Sequence, residues 1–335
     1  EWKATVTQPI FTGYSLTSAH ELAKLGIDQS KVAVELEKLD LALQVKEAYF
    51  NILKADKAVD VAKSSIESLE SHLAVENNFY NVGMIPINDL LKAEVELANS
   101  KYDLLKAQNE ARLARMSFNV LLSKSVDESF EIEDILKYTP ENPDFDVHIE
   151  KALKARPEIK ALDLKDAQID QQITQAKSKY YPEANFSYSY IKAGDTPLVK
   201  GSDFQKANSW QTAIGLSWTF WDWDKTRSSV RQIESQKRQL VQTRKTQEDS
   251  IRLQLKKAIL NLEQAEEKIP TAKKAVEQAE ENLRVSEQRY KAQVTTSTEV
   301  LDAQELLSKA RMNYYNALYD HNLARAELLR AIGEY

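Results

Sequence analysis

Residues 79–89 read FYNVGMIPIND, and 210 positions later residues 289–299 read RYKAQVTTSTE. In the first stretch Gly83 and Pro86 stand three apart, in a chain of 335 residues with only seven glycines and eight prolines. On both sides apolar residues recur at helical spacing with almost no breaker. Gly83 offers the backbone freedom for a reversal. Pro86 blocks continuation of the helix that enters it, and Asn88 is placed to cap the helix that leaves. FYNVGMIPIND is therefore predicted to be the tip of a helical hairpin. In the second stretch Gln293 holds the place of Gly83, so that turn is expected to take a different backbone path.

The two stretches belong to a longer correspondence. Adding 210 to a position in the first third of the chain reaches its counterpart in the last third, without gaps from about residue 2 to 123. Ala48, Ile52, Ala55, Val59, Ala62, Ile66 and Leu69 advance in steps of four and three, and so do Ala258, Leu262, Ala265, Ile269, Ala272, Val276 and Ala279. This 3.5-residue period lays the side chains along one seam, as coiled-coil packing requires. The descending arms match as well, with Leu90, Ala93 and Leu97 against Val300, Ala303 and Leu307. An internal duplication offset by 210 residues follows.

The predicted organisation is a first repeat over 1–123, an acidic connector over 124–148 and a second repeat over 149–335. The first repeat holds a strand at 2–11 and a hairpin at 14–122 with its tip at 81–88. The second holds a helix at 149–179, strands at 181–193 and 210–221, and a hairpin at 224–332 with its tip at 291–298. Each ascending arm spans roughly 100 Å at 1.5 Å per residue. Pro270 is expected to kink or break the second arm, and Pro157 to detach the first turn of the helix at 149–179. A short strand is expected at 130–132. The leading unit 149–209 has no counterpart ahead of residue 1, so the chain is expected to begin inside a repeat, short of one helix and one strand.

Three stretches alternate with period two. Phe186, Tyr188 and Tyr190 share a face in NFSYSYI; Ile214, Leu216, Trp218 and Phe220 do so in AIGLSWTF; Trp2, Ala4, Val6 and Ile10 do so in WKATVTQPI. The alternate positions are mostly small and polar, and all five tryptophans lie in or beside these segments. That pattern predicts short transmembrane strands with interfacial aromatics. Three strands cannot close a barrel, so several chains must contribute.

Composition narrows the function classes. A formal net charge of −6 argues against a nucleic-acid partner. The absence of cysteine removes disulfides and thiolate metal sites. No P-loop, GxGxxG, HExxH or nucleophile elbow occurs, and His20, His72, His148 and His321 are scattered along the chain. The chain reads as neither an enzyme nor a cofactor protein.

Two segments carry a family resemblance: QPIFTGY (8–14) with its counterpart WTFWDWDK (218–225), and FYNVGMIPINDLLKAEVEL (79–97) with RYKAQVTTSTEVLDAQELL (289–307). On them the chain resembles the TolC-like outer-membrane efflux proteins over essentially its whole length. The resemblance implies a mainly α fold with a small β part. Long antiparallel coiled-coil hairpins form an α-barrel, and strands from three chains form one transmembrane β-barrel. It further implies a homotrimer in outer-membrane lipid that reaches into the periplasm. Such a trimer is a passive exit duct for drugs, small molecules or proteins in tripartite efflux or type I secretion. Its partners are a periplasmic adaptor (membrane fusion) protein and an inner-membrane transporter of RND or ABC type.

By the same resemblance Glu299, Asp302, Asp89 and Tyr290 form the periplasmic constriction, with Tyr290 bonded to Asp89. Val82, Gly83, Met84, Ile85 and Pro86, with Val294, Thr295 and Thr296, form the adaptor-docking tips. Phe186, Tyr188, Tyr190, Ile214, Leu216, Trp218 and Phe220 face the membrane. Thr295 or Thr296 stands where some relatives carry a basic residue. Thr296 and Glu299 (TSTE) also fit a helix capping box. The alternative reading is a soluble periplasmic coiled-coil adaptor or scaffold, which would have to bury the aromatic strand face.

Overall fold

The computed structural model describes residues 1–194, 199–201 and 206–335. Its elements are β1 (Trp2–Phe11), α1 (Ser15–Asn81), α2 (Ile87–Leu121), α3 (Phe145–Ala155), α4 (Pro157–Lys177), β2 (Glu183–Lys192), β3 (Asn208–Ser217), α5 (Lys225–Lys291) and α6 (Ser297–Ile332), with a 3₁₀ turn at Ser178–Tyr180. The chain divides into two compact units, residues 1–36 with 157–249 and residues 37–156 with 250–335.

The first unit holds an antiparallel sheet in the order β1-β2-β3. Its register brings Val6 against Tyr188, Phe186 against Ile214 and Tyr190 against Trp210, so one face collects the large apolar side chains. The other face collects small polar ones, and the Thr5 and Ser189 hydroxyls bond across it at 2.9 Å. A bulge between Pro9 and Phe11 ends the clean alternation of β1. β3 stops at Ser217, so Trp218 and Phe220 lie beyond the strand instead of continuing it. The Trp218 indole donates to the Tyr180 carbonyl at 3.2 Å, which draws the chain out of the ladder.

Strand passes into long helix twice, by one device. Gly13 and Tyr14 before α1, and Trp223 and Asp224 before α5, are consecutive residues with φ between 55° and 71°. Thr12 Oγ1 accepts the Leu16 N–H at 3.3 Å, and Asp222 Oδ2 accepts the Thr226 N–H at 2.8 Å. Both side chains satisfy donors that a helix start leaves open. Gly13 is glycine for a second reason, since a Cβ there would lie 2.4 Å from the Ser178 carbonyl oxygen.

The second unit contains the hairpin tips and most of the core. Ile52, Leu255, Leu262 and Ile259 are almost wholly buried on the seams, and Ala93, Ala303, Ala265 and Ala279 let helices approach closely between them. Each buried Leu or Ile contributes about 1.5–3 kcal/mol. α5 runs through Pro270 without the expected break. Proline removes a helical hydrogen bond and costs ~3 kcal/mol in a helix interior. Neighbouring Ile269 offsets this by packing with Ala317 and Leu318, beside Ala272, Tyr314 and Tyr315.

Two other expectations need correction. The helix expected at 149–179 is two helices, α3 and α4, divided at Arg156. Arg156 is extended (ψ 130°), because a residue before proline disfavours the helical region, and Pro157 opens α4. No strand forms at 130–132. Phe130 and Ile132 instead pack on Ile52, Ala114 and Phe118.

Candidate functional site at the hairpin tips

The two turns at residues 82–86 and 292–296 close in the same way. Gly83 N–H donates to Tyr80 O at 2.9 Å and Met84 N–H to Phe79 O at 2.8 Å; Gln293 N–H donates to Tyr290 O at 2.8 Å and Val294 N–H to Arg289 O at 3.0 Å. Each pair is a Schellman closure of the preceding helix. Gly83 has φ 74° and Gln293 has φ 59°. Gln293 thus adopts the left-handed conformation that glycine holds in the first turn, contrary to the expected difference. A left-handed glutamine costs about 1–2 kcal/mol. The two closing hydrogen bonds on exposed backbone hold it there.

Neither expected side-chain cap forms. The N-cap of α2 is Pro86 and that of α6 is Thr296, and neither side chain accepts a helix N–H. Asn88 lies within the first turn of α2. The TSTE capping box is replaced by other bonds: Glu299 accepts from Arg289 Nη1 at 2.7 Å and from the Thr295 hydroxyl. Arg289 was not among the residues expected here. It pairs with Glu299 inside the second hairpin, while Asp302 is exposed.

Asp302 lines a groove of about 540 Å³ between α2 and α6, with Asn88, Leu91, Lys92, Val95, Glu96, Thr298, Leu301 and Glu305. Asp89 is half-buried. Tyr290 is only 4% exposed, and its hydroxyl is directed to Glu76 Oε1 at 3.4 Å, not to Asp89. Burial pushes the Tyr290 phenol up from its ordinary range, and the charges of Glu76 and Asp89 add to the effect. At the tips Val82, Gly83, Met84, Pro86, Val294 and Thr296 are exposed, while Ile85 and Thr295 are half-buried.

In the sheet Ile214 and Leu216 are each more than 70% exposed and Phe186 and Tyr188 are exposed too, as are Trp218 and Phe220 just beyond β3. Tyr190 is partly covered and stacks edge-on against Trp2. A scaffold that buried this face would not leave these side chains in solvent. No helix among the described residues is long and apolar enough to cross a membrane.

The outer membrane efflux protein family model matches residues 2–122 and 148–334. The chain belongs to that family. It is 25% identical to the outer membrane protein TolC of Escherichia coli over 360 residues, covering 98% of this chain and 68% of that protein. It is 24% identical to TolC of Salmonella enteritidis, covering 90% of this chain and 62% of that one. Among solved structures, CusC superposes with a TM-score of 0.86 at 14% identity, covering 99% of this chain and 77% of that chain. The outer-membrane channel OprN superposes at 0.84 and 17% identity, covering 99% and 74%. The protein is thus an outer-membrane efflux channel of the TolC type that extends into the periplasm, and not an enzyme. The scaffold reading falls with that assignment.

Among the described residues no group of three or more His, Asp or Glu could hold a metal ion. His321, at a seam position, is fully buried against the Tyr138 ring at 5.2 Å.

Proposed function

We propose that three copies of this chain form a passive exit duct whose periplasmic end closes at the hairpin tips. The single observation that carries this reading is the paired turn, built identically at 82–86 and 292–296, with Asp302 exposed in the groove beside it. The equal turns and equal strand-to-helix entries also support the inferred duplication at an offset of 210 residues.

Two exposed faces support trimer assembly. Among the described residues the outer edges of β1 and β3 have no partner strand, which suits addition of strands from neighbours. On α2, Leu91, Val95, Tyr102, Leu113 and Val120 are exposed in steps of four, seven, eleven and seven, the spacing of a second coiled-coil seam. A neighbouring copy would cover that seam, and the aromatic strand face would meet outer-membrane lipid.

In this reading a periplasmic adaptor docks on Val82–Pro86 and Val294–Thr296, and an inner-membrane transporter of RND or ABC type supplies the energy. The cargo class is drugs, small molecules or proteins. Threefold symmetry gathers Asp302, with Glu299, Asp89 and Tyr290 behind it, into an acidic constriction that favours cations. Of Asp302 and Glu299, Asp302 is the carboxylate with no cation bonded to it in the second hairpin, whereas Glu299 is paired with Arg289. In planar-bilayer recordings Asp302→Ala should lower cation preference by removing its charge, and Glu299→Ala should lower it too by leaving Arg289 unpaired. Unchanged selectivity in the double variant removes these residues from the constriction.

A further inference from the structure

The second strand-to-helix junction differs from the first in what surrounds its left-handed residues. At the first, Gly13 lies against the Ser178 carbonyl, and Phe11, Tyr14 and Tyr181 stack edge-on beside it. At the second, residues 219–226 and the 3₁₀ turn leave a cavity of about 380 Å³, lined among others by Lys179, Trp221, Asp222, Trp223 and Asp224. Trp223 has φ 55° where the first junction has glycine, and it is 86% exposed. A left-handed backbone and a water-exposed indole are both unfavourable for tryptophan, and such outliers gather at functional sites. Trp221 is exposed too, and the two indoles meet edge to face at 5.7 Å.

The charges around this pair are of both signs. Asp222 is engaged in the turn, where its Oδ2 accepts from the Thr226 N–H and hydroxyl and fixes the start of α5. Asp224 has only a loose partner, Arg227 at 3.8 Å, and both side chains are mostly exposed. Lys179 is exposed and makes no ion pair among the described residues. In the first junction Thr12 and Tyr14 stand where Asp222 and Asp224 do, so this combination occurs once per chain.

We propose that the cavity is a headgroup site for a zwitterionic glycerophospholipid of the ethanolamine type in the periplasmic leaflet. The Lys179 ammonium takes the lipid phosphate. The lipid ammonium lies against Trp221 and Trp223 as a cation–π contact and donates to the Asp224 carboxylate. Its acyl chains continue along β3, where Leu216 and Ile214 are exposed. An anionic headgroup has no ammonium to offer Asp224 and meets its charge with repulsion, which gives the site its selectivity. The site deepens the reading that the strand face meets lipid, and it rests on that reading.

Native mass spectrometry of the detergent-purified chain tests it, with phosphatidylethanolamine and phosphatidylglycerol of identical acyl chains as probes. One phosphatidylethanolamine per chain should be retained, bound several-fold more tightly than phosphatidylglycerol. Asp224→Asn, which tolerates the same left-handed backbone, should bring the two lipids to near-equal binding. Lys179→Gln should weaken both several-fold, Trp223→Leu should weaken phosphatidylethanolamine alone, and Lys192→Gln at the far end of β2 should change neither. Equal retention of the two lipids by the native chain overturns the site. So does an unaltered preference in folded Asp224→Asn and Trp223→Leu. A chain that stays soluble without detergent contradicts the membrane reading itself, whereas a detergent-dependent chain with no lipid preference overturns the headgroup site alone.

Discussion

Gln293 shows how far a single residue can be read from sequence. Propensity assigns a left-handed turn to glycine, so a glutamine there predicts a different turn; yet Gln293 and Gly83 make the same two closing hydrogen bonds. The geometry is set by the helix that ends and the helix that starts, and the side chain accepts the conformation at a cost. Gln293→Gly should therefore stabilise the second unit by up to about 1 kcal/mol, less whatever the freer unfolded chain takes back. Gly83→Ala should cost a similar amount, because open space around its Cβ leaves only backbone strain. Urea titrations of both variants check this. The position of the tip turns and the one-sided aromatic strands were legible because each is a local pattern. The Glu76–Tyr290 contact was not, since it joins residues 214 apart and has no repeat partner to announce it. Arg289 was missed for a related reason: ten residues separate it from Glu299, across a turn.

At the scale of elements, long seams were the most readable feature, since periodic apolar residues over many turns leave few alternatives to helix. Single prolines were less readable. Pro270 leaves α5 continuous because packing outweighs the lost hydrogen bond, whereas Pro157 divides a helix because the residue before it, Arg156, is held extended. Arg156 is buried, and its guanidinium donates to Gln254 Oε1 at 2.9 Å. The connector was expected as an acidic segment with a short strand at 130–132, yet it is docked along the second unit without one. Tyr49 donates to Glu133 O at 2.7 Å, Lys57 pairs with Asp134 at 2.6 Å, and Asn322 donates to Lys137 O at 3.2 Å.

His321 belongs to this docking. Its counterpart is Ala111, and the larger imidazole meets the Tyr138 ring of the connector edge-on. Burial pushes the His321 imidazole down, against the opposing pull of Glu266, the Thr139 backbone and Glu141. A lowered folded value means that the unfolded chain binds the proton first. The contribution of His321 is full above about pH 6.5, the ordinary value, and is lost as pH falls below it. Between pH 7.5 and pH 5 the native chain should lose more thermal stability than His321→Gln. Equal losses in differential scanning calorimetry would show that His321 does not titrate with unfolding.

The whole molecule follows from what its two units leave uncovered. The sheet exposes an aromatic and aliphatic face and two open edges, and α2 exposes a second apolar seam. Lipid suits the first, and further copies of the chain suit the others. Assembly is the part that one sequence shows only indirectly, because three strands and a lone seam state a need and not the number of partners. The proposed duct, acidic constriction and docking tips all depend on that number. The most direct measurement is the protein mass of the detergent-solubilised particle by light scattering, corrected for bound detergent. The account predicts three chains of 38.2 kDa per particle, held only in the presence of detergent. A monodisperse monomer that stays soluble without detergent would contradict it.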